Sequence, residues 1–150
     1  MSKKKSIFIG RHDMMLDSGG TFVLPEEWRS GIDESRVVFV LPDRSEQCLN
    51  LVPDAVMEKE LVAIRMRAKI DAVDHEALKT IGEAAYRIVV DEGWRIEIPQ
   101  PLRKMMGLTN EVAMIGAVRM IKIWRKRELG SVEVSKELEK ELNEVEEELD

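Results

Sequence analysis

Apolar residues recur along this chain at two periods, and the first is two. Ile96 and Ile98 alternate with Arg95 and Glu97 as in a strand with one buried face; Val89-Val90 reads as the strand before it, and Asp91-Glu92-Gly93 supplies the turn between them. Pro99 ends the pairing, Pro101 suits the first turn of a short helix, and Gly107 marks its end. A slip of one residue would turn Arg95 inward, so the register is firm. The pattern occurs twice. Met15-Leu16-Asp17-Ser18-Gly19-Gly20-Thr21-Phe22-Val23-Leu24-Pro25, followed by Trp28, Arg29 and Gly31, is carried onto it by a shift of 74 places, which brings Asp17 onto Asp91, Gly19 onto Gly93, Leu24 onto Ile98 and Arg29 onto Arg103.

Behind each copy comes a hairpin pattern. Val37-Val38-Phe39-Val40-Leu41, the turn Pro42-Asp43-Arg44-Ser45-Glu46 and Leu49-Asn50-Leu51-Val52 are answered by 112–116 and 120–124, with the shift falling to 72 for the last strand. The first copy therefore has the longer turn, by two residues. Between the copies the period becomes helical: Pro53-Asp54 opens a helix through Val56, Leu61, Val62 and Ile64, and a second candidate runs from about Asp74 through Leu78, Ile81 and Ala85. The expectation is a β-rich α+β fold in which two β units, 7–53 and 87–128, share one core with pseudo-twofold symmetry and are joined by helices over 54–86. A basic arm (1–6) and an acidic amphipathic tail (129–150), whose Val134, Leu138, Leu142, Val145 and Leu149 recur every three or four residues, flank them.

Charge changes this picture only after it is divided. The formal net charge of -6 argues against a nucleic-acid partner, but 131–150 holds nine acidic residues and two lysines, a net of -7, leaving 21 basic against 20 acidic residues and +1 for the rest. The lone Cys48 excludes an internal disulfide and points to a reducing compartment; no apolar run reaches the roughly 18 to 20 residues a membrane span needs, so a cytoplasmic protein without membrane association is expected. His12 and His75 form no ligand-spaced group with Cys48, no phosphate-binding glycine loop is present, and Ser18 has no nucleophile elbow around it. No metal, cofactor or small-molecule ligand is expected, and an enzyme is the weaker hypothesis.

The duplicated turn-strand-proline unit, with Phe8-Ile9-Gly10 ahead of it and 112–116 and 121–124 behind it, resembles the MraZ family of bacterial transcriptional regulators over about Ile7 to Glu128. The resemblance implies a tandem of AbrB-like swapped-hairpin units, assembly of identical chains into rings, nucleoid association, and binding to repeated elements in the promoter of the division and cell-wall gene cluster, usually as a repressor. The family's binding residues fall on Asp91 and Arg95 in the second copy and on Asp17 and Thr21 in the first. Thr21 stands where the family has arginine, Gly19 where members often carry lysine, and Trp94 where glycine is expected. Tryptophan is poorly suited to positive φ, which implies a second turn shifted by one residue, and burial of Trp94 in the core is favoured over exposure.

From the residues themselves, Arg95 faces outward beside a turn, where its guanidinium can read a guanine edge, fork onto a phosphate, or simply pair with Asp91. Arg103 and Lys104 are candidates for phosphate contacts at the helix start. The rival expectation is an assembly or interaction scaffold that has lost much of its DNA contact in the first unit.

Overall fold

A computed structural model describes residues 7–43, 45–68, 79 and 82–126. Two features expected from the sequence, the basic arm and the acidic tail, lie outside the described residues, as does most of the second connecting helix.

The described chain is β-rich with short helices. Strands β1 (Arg11–Met15) and β2 (Thr21–Val23) lead into a 3-10 helix (Glu26–Gly31), then β3 (Val37–Pro42), β4 (Cys48–Pro53) and helix α1 (Asp54–Ala68). The second half repeats the order with β5 (Tyr86–Val89), β6 (Arg95–Glu97), helix α2 (Gln100–Met106), β7 (Glu111–Gly116) and β8 (Ile121–Arg125). All pairings are antiparallel, giving a six-stranded sheet of order β1-β7-β8-β4-β3-β5 and a two-stranded sheet of β2 and β6.

This order interleaves the copies. β1 of the first pairs with β7 of the second (Met14 opposite Val112), and β5 of the second pairs with β3 of the first (Ile88 opposite Val38). Replacing each residue by its repeat partner turns one of these pairs into the other. In the two-stranded sheet Phe22 lies opposite Ile96, its own partner under the 74-residue shift; in the large sheet Asn50 lies opposite Lys122, its partner under the shift of 72. β2 and β6, and β4 and β8, thus pair at equivalent positions of the two halves, while β1–β7 and β3–β5 are two images of one pairing.

The core follows the same rule. Leu16 and Val90, Phe22 and Ile96, Leu24 and Ile98, Trp28 and Leu102, Val38 and Val112, and Leu51 and Ile123 are repeat partners, and all are buried in one cluster. Phe8 adds a ring that the second copy lacks. It packs so closely on Gly31 that a Cβ there would collide with it, so Gly31 is required by close packing and not by backbone angle. Gly107, by contrast, ends α2 at φ 61°, whereas the shorter helix of the first copy runs into extended Ile32.

Candidate nucleic-acid interface

Strands β2 and β6 turn Phe22 and Ile96 inward, which leaves Thr21, Val23, Arg95 and Glu97 on the outer side, with Thr21 opposite Glu97 and Val23 opposite Arg95. The two repeated turns stand at this outer face.

Each turn is wound around its aspartate. Asp17 Oδ1 accepts from the N–H groups of Gly19 and Thr21, both at 2.9 Å; Asp91 Oδ1 accepts from Arg95 N–H, also at 2.9 Å. Gly20 N–H donates to the Asp17 carbonyl and Trp94 N–H to the Asp91 carbonyl, each at 3.0 Å. The expected one-residue shift of the second turn does not occur. Trp94 itself takes φ 61°, at the position where Gly20 takes φ 82°. The left-handed backbone costs a non-glycine residue on the order of 1–3 kcal/mol. The indole recovers this by packing against the core cluster and beneath Arg36, whose Cζ lies 3.6 Å from the ring centroid. A close cation–π contact is worth about 0.5–2 kcal/mol, enough with the packing to hold the turn in register.

Arg95 carries its side chain 62% exposed, with Nε donating to Asp91 Oδ2 at 2.8 Å. The bond from Arg95 N–H is the largest influence on the Asp91 carboxyl; desolvation opposes it, but the side-chain bond and charge of Arg95 and the Gly93 N–H add to it and leave the carboxyl below its ordinary range. The carboxylate therefore orients a guanidinium whose outer edge faces solvent. Arg36 donates from Nη1 to the Asp91 carbonyl at 3.1 Å, and Arg29 Cζ lies 5.6 Å from the Trp94 ring. Three arginines thus surround the second turn.

The first turn is different. Thr21 stands at the position of Arg95, and a Cβ on Gly19 would sit 3.5 Å from Asp17 Oδ1 and 3.9 Å from Glu97 Oε1. Where the second unit has Trp94 and Arg36, the first has Gly20 and Asn110, and a hollow of about 210 Å³ opens between them, lined also by Asp17, Ser18, Arg103 and Thr109.

Of the six residues singled out from sequence, Asp91 and Arg95 are brought together, and Asp17 and Thr21 form the equivalent turn. Lys104 is exposed on α2. Arg103 is turned inward: Nε donates to the Ile98 carbonyl at 2.9 Å and Nη2 to the Gly19 carbonyl at 3.3 Å, so it ties α2 to the other unit's turn. Arg29 repeats the first of these bonds, to Leu24 at 3.1 Å. Sequence reasoning missed Arg36, Arg29 and Glu97. The 74-residue match of Arg29 with Arg103 was a usable signal for a shared structural role, whereas Arg36 follows from no motif.

A separate cluster, Asp43, Glu46 and Cys48, gathers three potential metal ligands within 4.8 Å. Lys122 already supplies the cation, with Nζ 2.6 Å from Glu46 and 3.6 Å from Asp43. Burial, aided by Asp43, pushes the Cys48 thiol up to about 12, which keeps it protonated and a poor ligand. At the sheet edge His12 pairs with Glu27 at 2.7 Å and meets the Trp28 ring edge-on. Among the described residues no helix is long and apolar enough to cross a membrane.

Residues 82–148 match the family model described as "MraZ protein, putative antitoxin-like". The match covers β5 to β8, the whole second turn with Asp91 and Arg95, and continues through most of the acidic tail, beyond the span over which the sequence motifs resemble the family. The first unit is bound to it by the repeat and by interleaved pairing. Over this segment, somewhat less than half of the chain, the sequence is similar to the MraZ family.

Proposed function

We propose that the chain is a sequence-specific DNA-binding transcription regulator that acts through its second turn. The observation that carries this is the Asp91–Arg95 arrangement: a carboxylate bonded to both the backbone and the guanidinium of an exposed arginine, on the outer face of a two-stranded sheet. An arginine held this way presents a planar fork of donors with little conformational freedom left to lose, suited to a guanine edge in the major groove. Lys104 adds a phosphate contact, while Arg103 secures the fold. Asp17 and Thr21 form a weaker site whose hydroxyl makes at most a local contact.

One such site per chain binds weakly, and presenting several to spaced promoter repeats raises the effective concentration. The reading therefore includes a homo-oligomer, a ring by family resemblance, acting as a repressor of the division and cell-wall gene cluster in the nucleoid-associated cytoplasm. Units 7–53 and 87–128 are its two halves, linked through 54–86. The scaffold alternative draws on Thr21 and Gly19, which stand where the family resemblance expects positive charge at the first turn.

Titration of the protein's own upstream DNA and of scrambled DNA across salt concentrations separates the two. The regulator binds its own repeats more tightly, with log K falling as salt rises; a scaffold shows neither preference nor salt-dependent binding.

A further inference from the structure

Resting on the reading above, we infer that Arg36 is a further DNA-contacting residue, directed to the phosphate backbone, and that Trp94 is the platform that positions it. Arg36 is far from the turn in sequence and belongs to no repeated motif, since Asn110 occupies its place in the other unit.

Three observations place its charge at the second turn. Its backbone is fixed: φ is 58°, and its carbonyl accepts from Val90 N–H at 2.7 Å, just before Asp91. Its guanidinium lies 3.6 Å above the Trp94 ring centroid, and Nη1 donates to the Asp91 carbonyl at 3.1 Å. Asp91 also holds Arg95, so one residue orders both arginines, through its carbonyl on one side and its carboxylate on the other.

The two arginines differ in reach. Arg95 is mostly exposed and can enter a groove, whereas Arg36 is half-buried, clamped flat on an indole and tethered to the main chain. A guanidinium carries five N–H donors, and the bond to Asp91 uses one of them. A clamped charge beside the reading residue suits the phosphate flanking the base that Arg95 contacts, and it fixes register without reading sequence. Stacking restrains the planar fork before DNA arrives, which lowers the ordering cost of binding. Trp94 accepts a left-handed backbone and thereby supplies a surface that Gly20 cannot.

The test is DNA binding by the full chain, with Arg36→Ala, Arg36→Lys and Trp94→Gly, on native upstream repeats and scrambled DNA at several salt concentrations. Arg36→Ala is expected to weaken binding to both DNAs alike and to lower the magnitude of the log K–log salt slope by about 0.9 for each phosphate that Arg36 neutralises. Arg36→Lys keeps the slope, and Trp94→Gly weakens binding while leaving the slope near that of the unaltered protein, because the charge remains but is no longer held. Thermal melts of each variant separate these effects from misfolding. If the unaltered protein binds and folded Arg36→Ala shows the same affinity and slope, the assignment to Arg36 is overturned and the regulator reading stands. If the unaltered protein binds neither DNA, the regulator reading falls and this one with it.

Discussion

At the scale of single residues, the two turns show how one backbone is reached by opposite means. Gly20 adopts φ 82° at no steric cost, but a Cβ there would collide with the Arg103 guanidinium. Gly20→Ala should therefore destabilise the fold by about 1–3 kcal/mol, from left-handed strain and displacement of Arg103, read as a lowered Tm. Asp43 provides a second residue-scale test. Burial alone would raise its pKa, but bonds from Ser45, Asn50 and Glu46 and the Lys122 charge bring it down to about 2 from 3.8. A depressed carboxyl stabilises the fold above its unfolded pKa and loses that contribution as pH falls through the folded value. Stability should therefore decline between about pH 4 and pH 2, and Asp43→Asn should flatten that part of the curve in acid denaturation monitored by circular dichroism.

At the scale of elements, the helix arginines are joints. Arg103 bridges the Ile98 carbonyl of its own unit and the Gly19 carbonyl of the other, so Arg103→Ala should cost about 1.5–3 kcal/mol of stability. Its salt slope for DNA should stay unchanged, in contrast to Lys104→Ala, whose exposed ammonium carries no structural bond of the kind seen at Arg103. Strands, proline stops and the Gly107 cap were legible because alternation, proline and glycine act locally. The exposed pairing of Arg95 with Asp91 was legible too, since four residues across a tight turn bring them together. The inward turn of Arg103 was not, because its acceptor on Gly19 lies 84 residues away. The register of the Trp94 turn was misjudged for a similar reason: the arginine that offsets its backbone cost comes from 58 positions earlier in the chain.

For the whole molecule, the 74-residue shift in sequence becomes a rule of pairing. β1 finds its partner in β7, β3 in β5, β2 in β6 and β4 in β8, so separating the halves leaves edges and half a core. A fragment ending near Asp74 should show no cooperative thermal transition as a monomer, and calorimetry of the fragment alone checks this. The antiparallel pairing also sets the two turns at opposite ends of the β2–β6 ribbon and leaves them unequal in charge, with Arg95, Arg36 and Arg29 about Asp91 at one and Arg103 beside Asp17 and Glu97 at the other. That inequality is the basis for assigning DNA reading to the second unit. Anisotropy titration of unaltered protein, Arg95→Ala and Thr21→Arg on native upstream repeats and on scrambled DNA tests it most directly. Arg95→Ala should lose roughly 1–3 kcal/mol per engaged base and most of its preference for the native repeats, and Thr21→Arg, placed opposite Glu97 and beside Asp17, should tighten binding. Equal binding of both DNAs by Arg95→Ala and the unaltered protein would contradict it.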